Sequence, residues 1–199
     1  MDRIHPDSID LIHETFLGGL TPAEEKSIYC VAGIPGAGKS TYVKQAVEGG
    51  MFPENAFLLD PDRVMLALPE YQEDFEKLGP VDAYQLWEMP ARALAYALFE
   101  QAVARQFNII QDMSFAREEN YEHLQTLKNH GYQVFMVYIE CPVEEALRRA
   151  ASRLRYTPPQ MILDRAAGLA ALLPLYKALA DDFLHLDNGD LETPYAEAG

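Results

Sequence analysis

Cysteine is nearly absent from this chain: Cys30 and Cys141 are the two among 199 residues. Two such positions make neither a metal-ligand spacing nor a disulfide framework. Both fall in or at the end of apolar, strand-like runs, so the sequence predicts two buried, reduced thiols. Long hydrophobic runs are missing as well. No segment approaches the roughly 20 apolar residues of a membrane-spanning helix. The opening Met1-Asp2-Arg3-Ile4-His5-Pro6 lacks the apolar stretch of a signal peptide. The expectation is a cytoplasmic protein with no membrane partner. Positive charge is scarce, with 16 Lys and Arg against 31 Asp and Glu, a formal net charge of −15. A surface this acidic repels phosphate backbones and disfavours nucleic acid as a partner. His5, His13, His123, His130 and His185 form no metal or triad spacing and read as structural. Internal repeats, linkers and low-complexity tracts are also lacking. The rest is globular composition, 49% hydrophobic and 24% charged, in a chain long enough to bury a sizeable core.

Apolar runs alternate with helical patterns from residue 27 onward. Residues 7–18 carry Ile9, Ile12, Phe16 and Leu17 on one side of an amphipathic helix that Gly18-Gly19 ends. Thr21-Pro22-Ala23-Glu24 predicts a capping box that opens a further turn. Strands are expected at 27–32, 56–59, 108–111, 134–139 and 183–186, and helices at 40–48, 83–106, 118–130, 142–153 and 158–180. Alternation of this kind demands right-handed crossovers. The fold class expected is three-layer α/β/α with a mainly parallel sheet of about five strands. Residues 1–26 read as an N-terminal helical appendage, 27–190 as the α/β domain and 191–199 as a C-terminal tail.

In such sheets ligands bind at the carboxyl ends of the strands, and the chemistry-bearing residues follow that rule. Gly33-Ile34-Pro35-Gly36-Ala37-Gly38-Lys39-Ser40 matches G-x-x-x-x-G-K-[ST] between a strand and a helix. The glycines let successive N–H groups converge on phosphate oxygens, and the helix N-terminus adds a favourable dipole. Lys39 is expected to bridge the β- and γ-phosphates, and Ser40 to bind Mg²⁺. Gly33, Pro35, Gly36, Ala37, Gly38, Lys39, Ser40 and Thr41 thus form the expected ATP or GTP site.

Phosphoryl transfer also needs a carboxylate that orients the attacking hydroxyl and accepts its proton. Asp60-Pro61-Asp62-Arg63 follows the second strand. Asp60 before a proline fits a helix cap, which leaves Asp62 as the catalytic carboxylate and, with Ser40, a metal ligand; Asp60 and Arg63 are also placed on the acceptor side. Asp112 and Ser114 follow the third strand. Asp112 suits Mg²⁺ or an acceptor hydroxyl, and Ser114 either binds the acceptor or caps the next helix. Glu140 reads as a solvated strand-end carboxylate. Arg148, Arg149, Arg153 and Arg155 crowd one short stretch. Two of them are expected to neutralise charge on the transferred group, the others to form surface ion pairs.

Taken in order, the P-loop, Leu59-Asp60-Pro61-Asp62-Arg63, Leu68-Pro69-Glu70-Tyr71, Ile110-Gln111-Asp112-Met113-Ser114 and Arg155-Tyr156-Thr157-Pro158 resemble the zeta toxin family of P-loop kinases over about residues 28–190. That family phosphorylates a sugar hydroxyl of UDP-N-acetylglucosamine and is held inactive by a small antitoxin. The resemblance implies that Asp62 is the catalytic base, that Asp112 and Ser114 contact the acceptor, and that Arg149 and Arg155 contact ATP phosphates. Three departures touch the acceptor side: Asp112 is shorter than the family's Glu, Leu68 replaces its His, and Tyr96 stands near an acceptor-binding Glu. A 5′-hydroxyl polynucleotide kinase, which shares the D-x-x-R spacing of Asp60 and Arg63, a small-metabolite kinase, and a non-catalytic nucleotide switch stay open.

Overall fold

A computed structural model describes residues 3–151, 157–190 and 194–197. Its helices are α1 (Pro6–Leu17), α2 (Lys39–Glu48), α3 (Pro61–Ala67), α4 (Pro69–Leu78), α5 (Pro80–Ala104), α6 (Glu118–Asn129), α7 (Val143–Ala151) and α8 (Pro159–Leu179). Its strands are β1 (Ser27–Ala32), β2 (Ala56–Leu59), β3 (Asn108–Met113), β4 (Gln133–Glu140), β5 (Asp182–Asp187) and β6 (Ala196–Glu197). The strand order is β2-β3-β1-β4-β5-β6. β1 with β4 and β4 with β5 are parallel, in register Cys30↔Met136 and Tyr138↔His185. This is the three-layer α/β fold expected, with a mostly parallel sheet. The sixth strand, antiparallel to β5 through Leu186↔Glu197 and Asp187↔Ala196, was not expected from the sequence. Two residues are too few for a hydrophobic pattern to show.

The chain divides into two compact units. One is formed by the chain up to Ala23 together with Asn55–Ile109. Here α5 packs against α3, α4, α1 and β2, burying Trp87, Leu94, Leu98 and Phe99. The Trp87 indole donates to Asp74 Oδ2 at 2.9 Å, which satisfies its one polar atom. The N-terminal helix is tied in through the His5 amide, which donates to Glu70 Oε1 at 2.8 Å. Residues 21–24 form no helical turn, contrary to the capping-box expectation. Asn55 takes the groups a cap would use: its Nδ2 donates to the Thr21 hydroxyl and carbonyl, and its Oδ1 accepts from the Thr21 amide at 3.0 Å.

The other unit comprises Glu24–Glu54 and the chain from Ile110 onward. Fully buried Ile28, Cys30 and Val31 of β1 and Ile139 of β4 make its centre, as strands covered on both faces require. Phe115 and Tyr121 both meet Tyr176 of α8 edge-on, at centroid distances of 5.7 and 5.8 Å.

Candidate functional site

The glycine loop leaves β1 at Ala32 and enters α2 at Lys39. Gly36 and Gly38 have φ of +97° and +94°, which favour glycine on backbone grounds alone. Space forbids anything larger too. A Cβ on Gly36 would lie 2.6 Å from the Ala146 carbonyl oxygen, and one on Gly38 would lie 2.4 Å from Asn188 Nδ2. The loop is therefore enclosed by α7 and by the segment after β5. Gly33, Ile34, Gly36 and Ala37 are buried, and Pro35, Gly38 and Lys39 are half-buried. Lys39 folds its ammonium back to donate to the Ile34 carbonyl at 3.2 Å.

The exposed Ser40 hydroxyl donates to Asp112 Oδ2 at 2.5 Å. The contact follows from strand order, because β3 lies beside β1 and its carboxyl end delivers Asp112 to the start of α2. Two hard oxygen groups thus converge where the loop becomes a helix. Among the described residues no group of three or more His, Cys, Asp or Glu side chains forms a metal cage. Mg²⁺ needs none, since it keeps several waters and substrate phosphates.

Arg149 is largely covered, with a side chain 15% exposed. Its Nε donates to Glu145 Oε1 at 2.6 Å and its Nη2 to the Asn188 carbonyl at 2.9 Å. Arg148 grips the same Glu145 with two donors. The hydrogen bonds from Arg148 and Arg149 hold the Glu145 carboxyl far below the usual range, at about 2. Arg153 and Arg155 lie outside the described residues. His185 Nε2 hydrogen-bonds the Glu140 carboxylate at 2.8 Å, and that ring stacks on Tyr138.

The Asp60 carboxylate accepts from the amides of Asp62 and Arg63 at 3.0 and 3.2 Å and caps α3. Asp62 occupies the first turn of that helix, half-buried. The phenol of Tyr71, in the same unit, is pushed up by burial and then by the Asp62 charge. Arg63 lies 6.0 Å from the Phe16 ring centre. Leu68, fully buried, joins α3 to α4. Ser114 does not cap α6, whose N-cap is Arg117. Loop, Ser40, Asp112 and Arg149 thus share one unit, and Asp60, Asp62 and Arg63 belong to the other. The sequence reading passed over Asn188 and Tyr195, which contact the loop directly; the one signal was a polar residue just past the last parallel strand.

The profile of the family described as "Zeta toxin" matches residues 14–183. The chain belongs to the zeta toxin family. Among solved structures this zeta toxin family member is similar to a chain of the PezAT chromosomal toxin–antitoxin system of Streptococcus pneumoniae. The TM-score is 0.68 at 19% identity, over 92% of this chain and 77% of that one. It is also similar to a chain of the AvrRxo1-ORF1:-ORF2 complex, with TM-score 0.68 and 14% identity over 98% and 67% of the two chains. The same complex with ATP gives 0.64 and 13% over 92% and 61%. At these identities the structural likeness speaks to the fold. A comparison with curated proteins finds no match. Membership and fold together make the chain a P-loop kinase, a phosphotransferase. No helix among the described residues is long and apolar enough to cross a membrane.

Proposed function

We propose that this kinase transfers the γ-phosphate of ATP or GTP to a sugar hydroxyl of a nucleotide sugar of the UDP-N-acetylglucosamine class, and that a small antitoxin restrains it. The observation that carries the transfer chemistry is the Ser40–Asp112 pair beside an intact phosphate loop. Ser40 and Asp112, rather than Ser40 and Asp62, are the residues that would hold Mg²⁺. The ion would supply charge neutralisation for the phosphoryl group in transfer. The loop amides and the N-terminus of α2 bind the phosphates. Lys39 swings from the Ile34 carbonyl to the β/γ bridge, a short reach for a side chain already folded over the loop. Asp62, spared from capping by Asp60, accepts the acceptor's proton as its oxygen attacks phosphorus in line and the ADP oxygen leaves. Arg149 keeps a positive charge beside the loop, and Arg155 adds another on the strength of the family resemblance. Ser114, with Asp60 and Arg63, is assigned to the acceptor. The similar solved structures include a chain of the PezAT toxin–antitoxin system, which supports the partner.

The test is γ-phosphate transfer across nucleotide sugars, oligonucleotides and small alcohols, with native protein and Lys39→Ala. Transfer to the nucleotide sugar, lost at least 10²-fold in Lys39→Ala, supports the reading. Preferential transfer to oligonucleotides or small alcohols overturns the acceptor. ATP binding and transfer unchanged in Lys39→Ala overturn the site.

A further inference from the structure

A phosphate-binding loop works only if its amides point inward, and this forces its carbonyls outward, where they need partners of their own. In this chain two of those carbonyls are taken by side chains from the far end of the sequence. Asn188 Nδ2 donates to the Ala37 carbonyl at 2.8 Å across 151 residues. The Tyr195 hydroxyl donates to the Gly38 carbonyl at 2.9 Å across 157 residues. Neither side chain is loosely placed. Asn188 is 5% exposed; its amide donates to the Glu140 carbonyl at 2.9 Å, and its own carbonyl accepts from Arg149. The Tyr195 ring meets Tyr42 of α2 at 5.4 Å, and β6 begins at the next residue. Tyr195 also has φ +61°, a left-handed conformation unusual outside glycine and costly for a bulky side chain. The backbone turns against its own preference at the residue that reaches the loop.

We propose that Asn188 and Tyr195 are positioning residues for nucleotide binding: together they hold the Ala37 and Gly38 carbonyls away from the cradle, so that the loop amides face phosphate. The role rests on the reading of residues 33–41 as the nucleotide site. It acts on the phosphates and not on the base, because both contacts are to the loop backbone. The Gly38 carbonyl also accepts from the Tyr42 amide of α2 at 3.1 Å, so loss of the Tyr195 donor loosens the peptide at 38 and loss of the Asn188 donor lets the peptide at 37 rotate; phosphate affinity falls while the fold stays.

The experiment compares the full chain with Tyr195→Phe, which removes one oxygen and keeps the ring on Tyr42, and with Asn188→Leu, each measured for binding of Mg²⁺–ATP and of tripolyphosphate. Thermal midpoints are recorded without ligand. Tyr195→Phe should weaken both ligands about three- to tenfold, the worth of one neutral hydrogen bond, with little change in midpoint. Asn188→Leu should weaken both by at least as much. Lys39→Ala serves as the reference for the site itself. Native affinity in Tyr195→Phe and Asn188→Leu alongside a loss in Lys39→Ala overturns the positioning role alone, and so does a lowered midpoint with unchanged affinity. A loss for ATP but not for tripolyphosphate overturns it in favour of a base contact. Native affinity in Lys39→Ala overturns the nucleotide site and this proposal with it.

Discussion

Three aspartates divide the work at the strand ends, and their partners separate them. Asp60 spends its carboxylate on two helix amides. Asp112 accepts from Ser40. Asp62 carries the base role proposed here. Asp62→Asn should therefore lower single-turnover transfer about 10²- to 10⁴-fold with ATP affinity nearly unchanged. Asp60→Ala should cost about 1 kcal/mol of stability through the lost cap. Asp112→Asn should raise the Mg²⁺ concentration needed for half-maximal transfer. Transfer kinetics, thermal unfolding and Mg²⁺ titration check the three in turn, and native turnover in Asp62→Asn would place the base elsewhere. The Asp60 cap was legible in the sequence because Asp-Pro is a local signal. The Asp112 partner was not, because it depends on β3 lying beside β1, a pairing no neighbouring residue records.

At the scale of elements, α7 shows how far local spacing reaches. Glu145, Arg148 and Arg149 stand at i, i+3 and i+4, which a helix gathers on one side. The sequence showed an arginine cluster but not which arginines Glu145 engages. Because the folded carboxyl titrates near 2 rather than at its ordinary 4.5, the pairing stabilises α7 above the ordinary glutamate range. It fades as pH falls through that range toward 2. A carboxyl-resolved NMR titration should find the Glu145 midpoint well below 4.5, and Arg148→Ala should move it upward. α4 escaped the sequence reading for a plain reason: Tyr71 is its one buried residue, so no apolar stripe marks it. Its start had a signal, since Pro61, Pro69 and Pro80 each sit at the opening of a helix.

Over the whole molecule, the parallel strands were readable because each carries adjacent apolar residues between turn residues. Their order was not, since β1 pairs with β4 and not with β2. The same burial that made β1 readable protects its thiol. Burial raises both Cys30 and Cys141, Cys30 the more strongly. An aromatic disulfide reagent at pH 8 should find essentially no reactive thiol in the native protein and two after unfolding. Rapid native labelling would contradict the packing of β1.

The reach from Tyr195 back to Gly38 also has a meaning in time. A ribosome adds Tyr195 157 residues after Gly38. At roughly 5–20 residues per second, that interval lasts on the order of ten seconds. A nascent chain therefore carries the phosphate motif long before it carries the side chains that back it. On the positioning role proposed for Tyr195, a kinase of a toxin family gains its full grip on nucleotide only once Tyr195 has been made and has folded back onto Gly38.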